Sequence, residues 1–163
     1  MTTKLKDVRT VLVQDAREEA ALDGSAAIEA EHVLLGLARQ PGGRVAELLA
    51  EAGLTREAIR AALDREWEGT LAVAGIAVAV AELPPATPDR GRQPKFGESA
   101  KLVLKRAAEK AKRLGANRLT AAHILVGILD TDLGRVARAL DLAGIDRPAL
   151  LIRVQWLAGE EVR

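Results

Sequence analysis

Few residues in this sequence have the chemistry for catalysis or metal binding. Cysteine is absent, which removes a thiolate nucleophile, a disulfide framework and a sulfur-ligated zinc site together. Histidine occurs only at His32 and His123, too few for a zinc centre without carboxylates beside them. No Gly-x-x-x-x-Gly-Lys-[Ser/Thr] run supplies a phosphate loop. There is no Ser/His/Asp arrangement, and no pair of helical carboxylates is marked as catalytic. The residues left over suit gripping rather than turnover: the Glu31 carboxylate beside His32, and Phe96, the only phenylalanine, five residues before Lys101. The expectation is a protein with no catalytic residues, no cofactor and no metal.

The 163 residues are enough for one ordinary domain or two small units sharing a core. Ala (31) and Leu (24) dominate the apolar share, while aromatics make up 2% of the chain. Both abundant residues are strong helix formers. Lys and Arg number 24 against 23 Asp and Glu, a net charge of +1. That balance weighs against a dedicated nucleic-acid binder, and the locally basic stretch Lys105–Arg113 has no interleaved aromatics. The longest apolar run, Leu71 to Ala81, is about half of what a membrane span needs. The N-terminus lacks the apolar stretch of a signal peptide. A cytoplasmic location is therefore expected.

The elements that hold these residues come in two copies. At an offset of 91, positions 16–63 align with 107–154 without a gap, and 17 of the 48 are identical. Gly24, Gly36, Gly43 and Gly53 fall on Gly115, Gly127, Gly134 and Gly144, and His32 falls on His123. Each copy reads as four helices. The first helix of repeat one aligns Leu5, Val8, Leu12, Ala16 and Ala20 on one face. The first of repeat two does the same with Leu102, Leu104, Ala107, Ala111 and Leu114. The second helices, around His32 to Leu37 and His123 to Ile128, are apolar on most sides and belong in the centre. Gly36 and Gly127 cost helix propensity there and mark close helix–helix approach. Thr55 and Asp146 are placed to cap the fourth helices. Leu54 with Ile59, and Ile145 with Leu150, have the spacing of a hydrophobic staple. Between the repeats, Leu71–Ala81 reads as a helical extension followed by an extended segment packed on the bundle. Leu83–Pro94 reads as an exposed proline-rich connector.

The repeated motifs, Ile28-Glu-Ala-Glu-His-Val-Leu-Leu-Gly-Leu37 with Gly43-Arg-Val-Ala46, and His123-Ile-Leu-Val-Gly-Ile128 with Gly134-Arg-Val-Ala137, resemble the double-repeat N-terminal domain of the Clp ATP-dependent unfoldases, the ClpC type in particular. The resemblance implies an all-α, pseudo-twofold bundle of two four-helix repeats, about eight helices, joined by a long Pro-rich connector. The first repeat would occupy 1–66, the connector 67–95 and the second repeat 96–163. It also implies a non-enzymatic module that docks protein substrates or adaptors of a Clp protease system. The unfoldase module is missing from the chain, and the start at Met1 with a short tail suggests a free-standing relative, an adaptor or a decoy.

The resemblance also singles out residues. ClpC-type relatives carry Gly-Thr-Glu-His in both repeats, and the acid takes part in recognising phosphorylated arginine. Here Glu31 keeps the acid, Ala122 replaces it in repeat two, and Ala stands for Thr in both. Glu29 adds a negative charge nearby. These departures weigh against phosphoarginine, and the plainer role of Glu31 is to favour a helix N-terminus. Phe96 and Lys101, with Leu5 near them, match a surface that binds cyclic peptide antibiotics in actinobacterial relatives, while Thr2, Thr10 and Lys105 depart from what the family places there. The plainer role of Phe96 is packing beside Leu5. His32 and His123 are read as structural, each bonding a neighbouring backbone group. The competing reading of the whole chain is a stand-alone helical regulatory or small-molecule-binding module that has lost its Clp linkage.

Overall fold

The computed structural model describes residues 8–40 and 42–162; Leu5 lies outside them. A π-helical segment, Thr10–Asp15, leads directly into α1 (Ala16–Leu22). Then follow α2 (Ala30–Ala38), α3 (Arg44–Glu51) and α4 (Arg56–Val73). The second repeat contributes α5 (Glu98–Arg113), α6 (Ala121–Leu129), α7 (Arg135–Leu142) and α8 (Arg147–Glu160). Among the described residues these are the eight α-helices expected, four in each repeat.

The central pair is α2 and α6. Every residue of α2 from Ala30 to Leu37 and of α6 from Ala122 to Leu129 is buried, as a helix apolar all round must be. The first helix of each repeat lies against its central helix at a glycine. A Cβ added to Gly36 would stand 3.0 Å from the Ala16 amide nitrogen, and one added to Gly127 only 2.5 Å from the Val103 carbonyl oxygen. The glycines are where backbone meets backbone, as their cost in helix propensity implied.

The caps are local and formed as the sequence indicates. Thr55 Oγ1 accepts from the Ala58 amide at 3.2 Å, and Asp146 Oδ1 from the Ala149 amide at 3.0 Å. Leu54 and Ile59 are both buried behind the first of these caps. The histidines are reverse caps. The Glu29 amide donates to His32 Nδ1 at 2.9 Å, and the Thr120 amide to His123 Nδ1 at 3.1 Å. An accepting Nδ1 leaves the proton on Nε2, which His32 donates to Asp23 at 3.0 Å. In repeat two the position of Asp23 is Leu114.

Two features go beyond the repeat pattern. Ala27–Ile28 and Lys95–Phe96 form a short parallel ladder, Ala27 opposite Lys95 and Ile28 opposite Phe96. It clamps the entry to α2 against the entry to α5. The fourth helix of repeat one also continues to Val73, into the stretch expected as connector. Past it, residues 83–94 are exposed except Asp89 and Pro94. The stretch is nevertheless tied down: the Asp89 amide donates to the Ala21 carbonyl at 2.9 Å, and Arg90 pairs with Glu18 at 2.9 Å.

The two repeats are not packed alike. α4 lies along α7 of the other repeat, while α8 stays on its own α6. The remaining pair, α3 and α8, faces across an open groove of about 530 Å³. Arg44–Glu160 at 2.8 Å and an Arg153–Glu51 pair bridge it. Trp156 stands on its rim, 66% exposed.

Candidate functional site

A second cleft, of about 440 Å³, opens where the N-terminal ends of α2, α5 and α7 converge. Three local signals aim these ends at one place. The His32 reverse cap fixes the start of α2. The ladder sets Phe96 beside Ile28 and so starts α5 two residues later. Gly134, at φ 107°, turns the chain into α7, a backbone angle that side-chain-bearing residues rarely adopt. The walls are apolar: Leu102 and Val103 from α5, Ile128 from α6, Leu133 and Val136 around the start of α7. Leu102 and Leu133 are exposed at the mouth, Leu133 at 84%.

One ion pair crosses the polar edge. Glu31, the second residue of α2, accepts from Arg135 Nη1 at 2.9 Å. Arg135 Nε also donates to Glu66 of α4 at 3.2 Å, and Arg138 Nε donates to Glu66 at 2.9 Å. Burial alone would raise the Glu66 carboxyl. The hydrogen bonds from Arg138 and Thr70 and the charges of Arg138 and Arg135 outweigh it and hold that carboxyl below its ordinary value. The network joins α2 and α4 of the first repeat to α7 of the second, so the cleft edge is set by contacts between repeats. Behind it, the Ser99 hydroxyl accepts from the Ala30 amide at 2.9 Å and donates to Glu29. The Glu29 charge is thus engaged at the α2–α5 junction.

Of the residues singled out in the sequence, Glu31 lines the cleft. Phe96 does not: it is half-buried in the ladder and packs on the core. Lys101 is exposed and pairs with Glu98 at 3.0 Å, one residue from the cleft-lining Leu102. Leu5 lies outside the described residues. Sequence reasoning missed Leu133, Arg135 and Glu66. Arg135 did carry a signal, because it sits in the Gly-Arg-Val-Ala motif shared by both repeats. For its mate Arg44, the positions of Glu31 and Glu66 are occupied by Ala122 and Leu157, and Arg44 pairs instead with Glu160. Among the described residues no cluster of His, Asp or Glu is built to hold a metal, and no helix is long and apolar enough to cross a membrane.

A two-step acid response is expected from the buried titratable groups. His123 is fully buried, and burial, aided by the Lys110 charge against that of Glu161, holds its pKa below the ordinary histidine value. On acidification the unfolded chain takes up that proton first, so stability is expected to begin falling below about pH 6.5. Glu19, Asp23 and Glu66 are held low by their arginine and histidine partners against the opposing effect of burial. Their contribution is present above about pH 4 and is lost below it. Asp64, raised by burial, acts the opposite way and is one group against three. Urea denaturation from pH 8 to 3 is expected to show both phases. In His123→Gln the first phase should vanish and the second remain; a first phase unchanged in that variant would assign it elsewhere.

Two four-helix repeats around a shared core, with a cleft at the inter-repeat junction, define a double-repeat helical domain. The chain belongs to the Clp repeat (R) N-terminal domain family, whose model matches residues 2–143 and again residues 95–161. It is 27% identical over 155 residues to the chloroplastic chaperone protein ClpC1 of Oryza sativa subsp. japonica, an alignment covering 95% of this chain and 15% of that protein. The chain therefore spans about 15% of the length of the curated relatives it matches. In fold it is similar to the N-terminal domain of ClpD from Arabidopsis thaliana, with a TM-score of 0.64 at 21% identity, covering 90% of this chain and 91% of that one. It is also similar to the Hsp104 N-terminal domain of Candida albicans, with a TM-score of 0.62 at 16% identity, covering 94% and 90%.

Proposed function

We propose that this chain is a non-enzymatic recognition module that takes apolar side chains of Clp substrates or adaptors into the cleft between α2, α5 and α7. The observation that carries the reading is the cleft itself, with apolar walls and two exposed leucines at its mouth. Such a pair can close over an incoming aliphatic or aromatic side chain. Glu31 positions the mouth through Arg135 rather than waiting for a ligand's guanidinium. Phosphoarginine would have to displace Arg135, and it is expected to compete poorly with an apolar peptide. Detached from any ATPase module, a domain of this kind would work as an adaptor or as a decoy that sequesters substrates.

Fluorescence anisotropy with a labelled, unstructured, leucine-rich peptide tests the reading. Leu133→Asp and Leu102→Asp are expected to weaken binding by about tenfold or more each, with little change in thermal stability because both side chains are exposed. Affinity unchanged in both variants would remove the cleft as the site. Free phosphoarginine as competitor separates the two ligand chemistries. The finer reading, a cyclic-peptide surface around Phe96, Lys101 and Leu5, predicts that Phe96→Ala abolishes binding of a cyclic peptide and leaves the linear one untouched. The cleft volume also suits a small apolar ligand, the reading of a regulatory module. That reading predicts that a small hydrophobic dye binds with Leu133 dependence while the peptide does not bind.

A further inference from the structure

The C-terminal half of α5 presents cations that the described carboxylates leave unpaired. From Lys101 to Arg118 the sequence has seven Lys or Arg and one acid, Glu109, while the whole chain carries a net charge of +1. Lys105, Lys112, Arg113 and Arg118 are exposed, and Lys110 is half-buried. Arginines elsewhere are held by carboxylates, as Arg44, Arg60, Arg90, Arg135 and Arg153 are. On this stretch Lys101 pairs with Glu98, and Arg106 is engaged by the Asp130 carbonyl and Thr131. Lys105, Lys110, Lys112, Arg113 and Arg118 form no ion pair among the described residues. Cations in the last turn favour a helix C-terminus. That accounts in part for Lys110, Lys112 and Arg113, but not for Lys105 two turns earlier or for Arg118 beyond the helix end.

The equivalent face in repeat one is covered. There a non-helical stretch of the connector crosses the end of α1. A Cβ added to Gly24 would stand 2.7 Å from the Thr87 carbonyl oxygen. The Asp89 amide donates to the Ala21 carbonyl at 2.9 Å, and Arg90 pairs with Glu18 at 2.9 Å. A Cβ added to the equivalent Gly115 would have nothing within 4 Å among the described residues, so the same place on α5 is open. The charge is changed as well. Lys105, Arg106, Lys110, Lys112 and Arg113 stand where repeat one has Gln14, Asp15, Glu19, Ala21 and Leu22. Glu109 and Asp130 are the acids beside this face, and the cations outnumber them. A segment crossing α5 as residues 87–90 cross α1 must therefore be acidic. Nucleic acid fits less well. No aromatic residue between Lys101 and Arg118 offers a base a stacking surface. Outside this stretch acids exceed cations, which repels a polyanion long enough to overrun the helix.

We propose that the face of α5 from Lys105 to Arg118 docks a short acidic segment of a partner protein, laid over the end of α5 as residues 87–90 lie over the end of α1. Fluorescence anisotropy of the full chain with a labelled peptide of alternating glutamate and glycine tests it. That peptide has no apolar side chain, so it does not report on the cleft, and the proposal does not rest on the cleft. The expected result is binding that weakens as salt rises. It should weaken by at least about tenfold in Lys105→Glu/Lys112→Glu and in Lys110→Glu/Arg113→Glu. The neutral pairs Lys105→Gln/Lys112→Gln and Lys110→Gln/Arg113→Gln disturb the helix end less and should lose binding in the same sense. The control pair Arg65→Glu/Arg153→Glu changes the net charge equally on other helices and should leave binding little changed. No binding of the peptide at low salt would overturn the proposal. So would an equal loss in the control pair, which would mean that net charge alone attracts the peptide. Tighter binding of a single-stranded oligothymidylate or of anionic vesicles, lost in the same α5 variants, would overturn it too and assign the face to that ligand.

Discussion

Replacing Glu19 with alanine is expected to lower stability by about 3 kcal/mol. Glu19 is 0% exposed. Its carboxylate accepts from Arg56 Nε at 2.6 Å and Nη2 at 3.0 Å, from Arg60, and from Arg39 Nη1 at 3.4 Å. Arg60 also reaches Asp23, the hydrogen-bond partner of His32. One carboxylate thus ties α4 and the end of α2 to α1. Its removal leaves three guanidinium groups with Asp23, which His32 already uses, as the one acid still hydrogen-bonded to any of them among the described residues. The arginines are about a third exposed, so water recovers part of the cost, and the loss falls at the low end of that for a broken buried pair. For a chain of this size the loss corresponds to roughly 6–12 °C in melting temperature. Glu19→Gln keeps the shape and one acceptor and should lose less. Urea denaturation of the three proteins side by side decides the matter. A loss under about 1 kcal/mol for the alanine variant would mean that solvent replaces the carboxylate almost fully.

Gly127→Ala is the second large effect, and its sign is the informative part. In an open helix the exchange would gain up to about 1 kcal/mol of propensity. Here the new Cβ would stand 2.5 Å from the Val103 carbonyl oxygen and 3.1 Å from the Ala107 nitrogen. Both are backbone atoms of α5, which cannot rotate away as a side chain would. The helices must separate along their whole contact, which also opens the packing of Val103 and Ala107 against α6. The expected cost is about 2–3 kcal/mol after the propensity gain is subtracted. The corresponding Gly36→Ala places its Cβ 3.0 Å from the Ala16 nitrogen and 3.3 Å from the Val11 carbonyl. A shift of a few tenths of an ångström accommodates that, so its cost is expected to be clearly smaller. Melting curves giving equal losses, or a stabilised Gly127→Ala, would contradict the close approach in repeat two.

These two positions differ in how far the sequence announced them. Gly127 was legible: a glycine inside an apolar helical stretch, repeated as Gly36, costs helix stability wherever it stands and so implies a contact that requires it. Glu19 was not legible. It looks like one of several charges on the first helix, and its counterpart in the second repeat is Lys110, so the repeat gave no hint that it is buried. The histidines fall on the legible side, because a reverse cap needs only the residue three positions before it. Glu31 was half legible. Its place at a helix start could be read, but its partner Arg135 stands 104 residues away, and no local pattern pairs them. The short ladder and the π-helical turn over Thr10–Asp15 were likewise not announced by the helical periodicity. The stretch after α4 is a helical extension and then a non-helical segment as read, but that segment is largely exposed and not packed on the bundle, because its side chains are mostly alanine and offer little apolar area to bury.

The amino-acid sequence on its own determined the helices, their caps, the two-repeat plan and the buried central pair. Each of these follows from interactions within about four residues or from apolar periodicity, and both are written directly along the chain. Only the tertiary structure decided that α4 leans on α7 while α8 stays on α6, and therefore that one inter-repeat face closes through Glu66 and Arg135 while the α3–α8 face stays open. Two nearly equal repeats can be docked in more than one way with the same local helices. The choice rests on a few side chains that differ between them, Glu31 against Ala122 and Glu66 against Leu157, and these act only once the chain has brought them opposite the arginines of the other half.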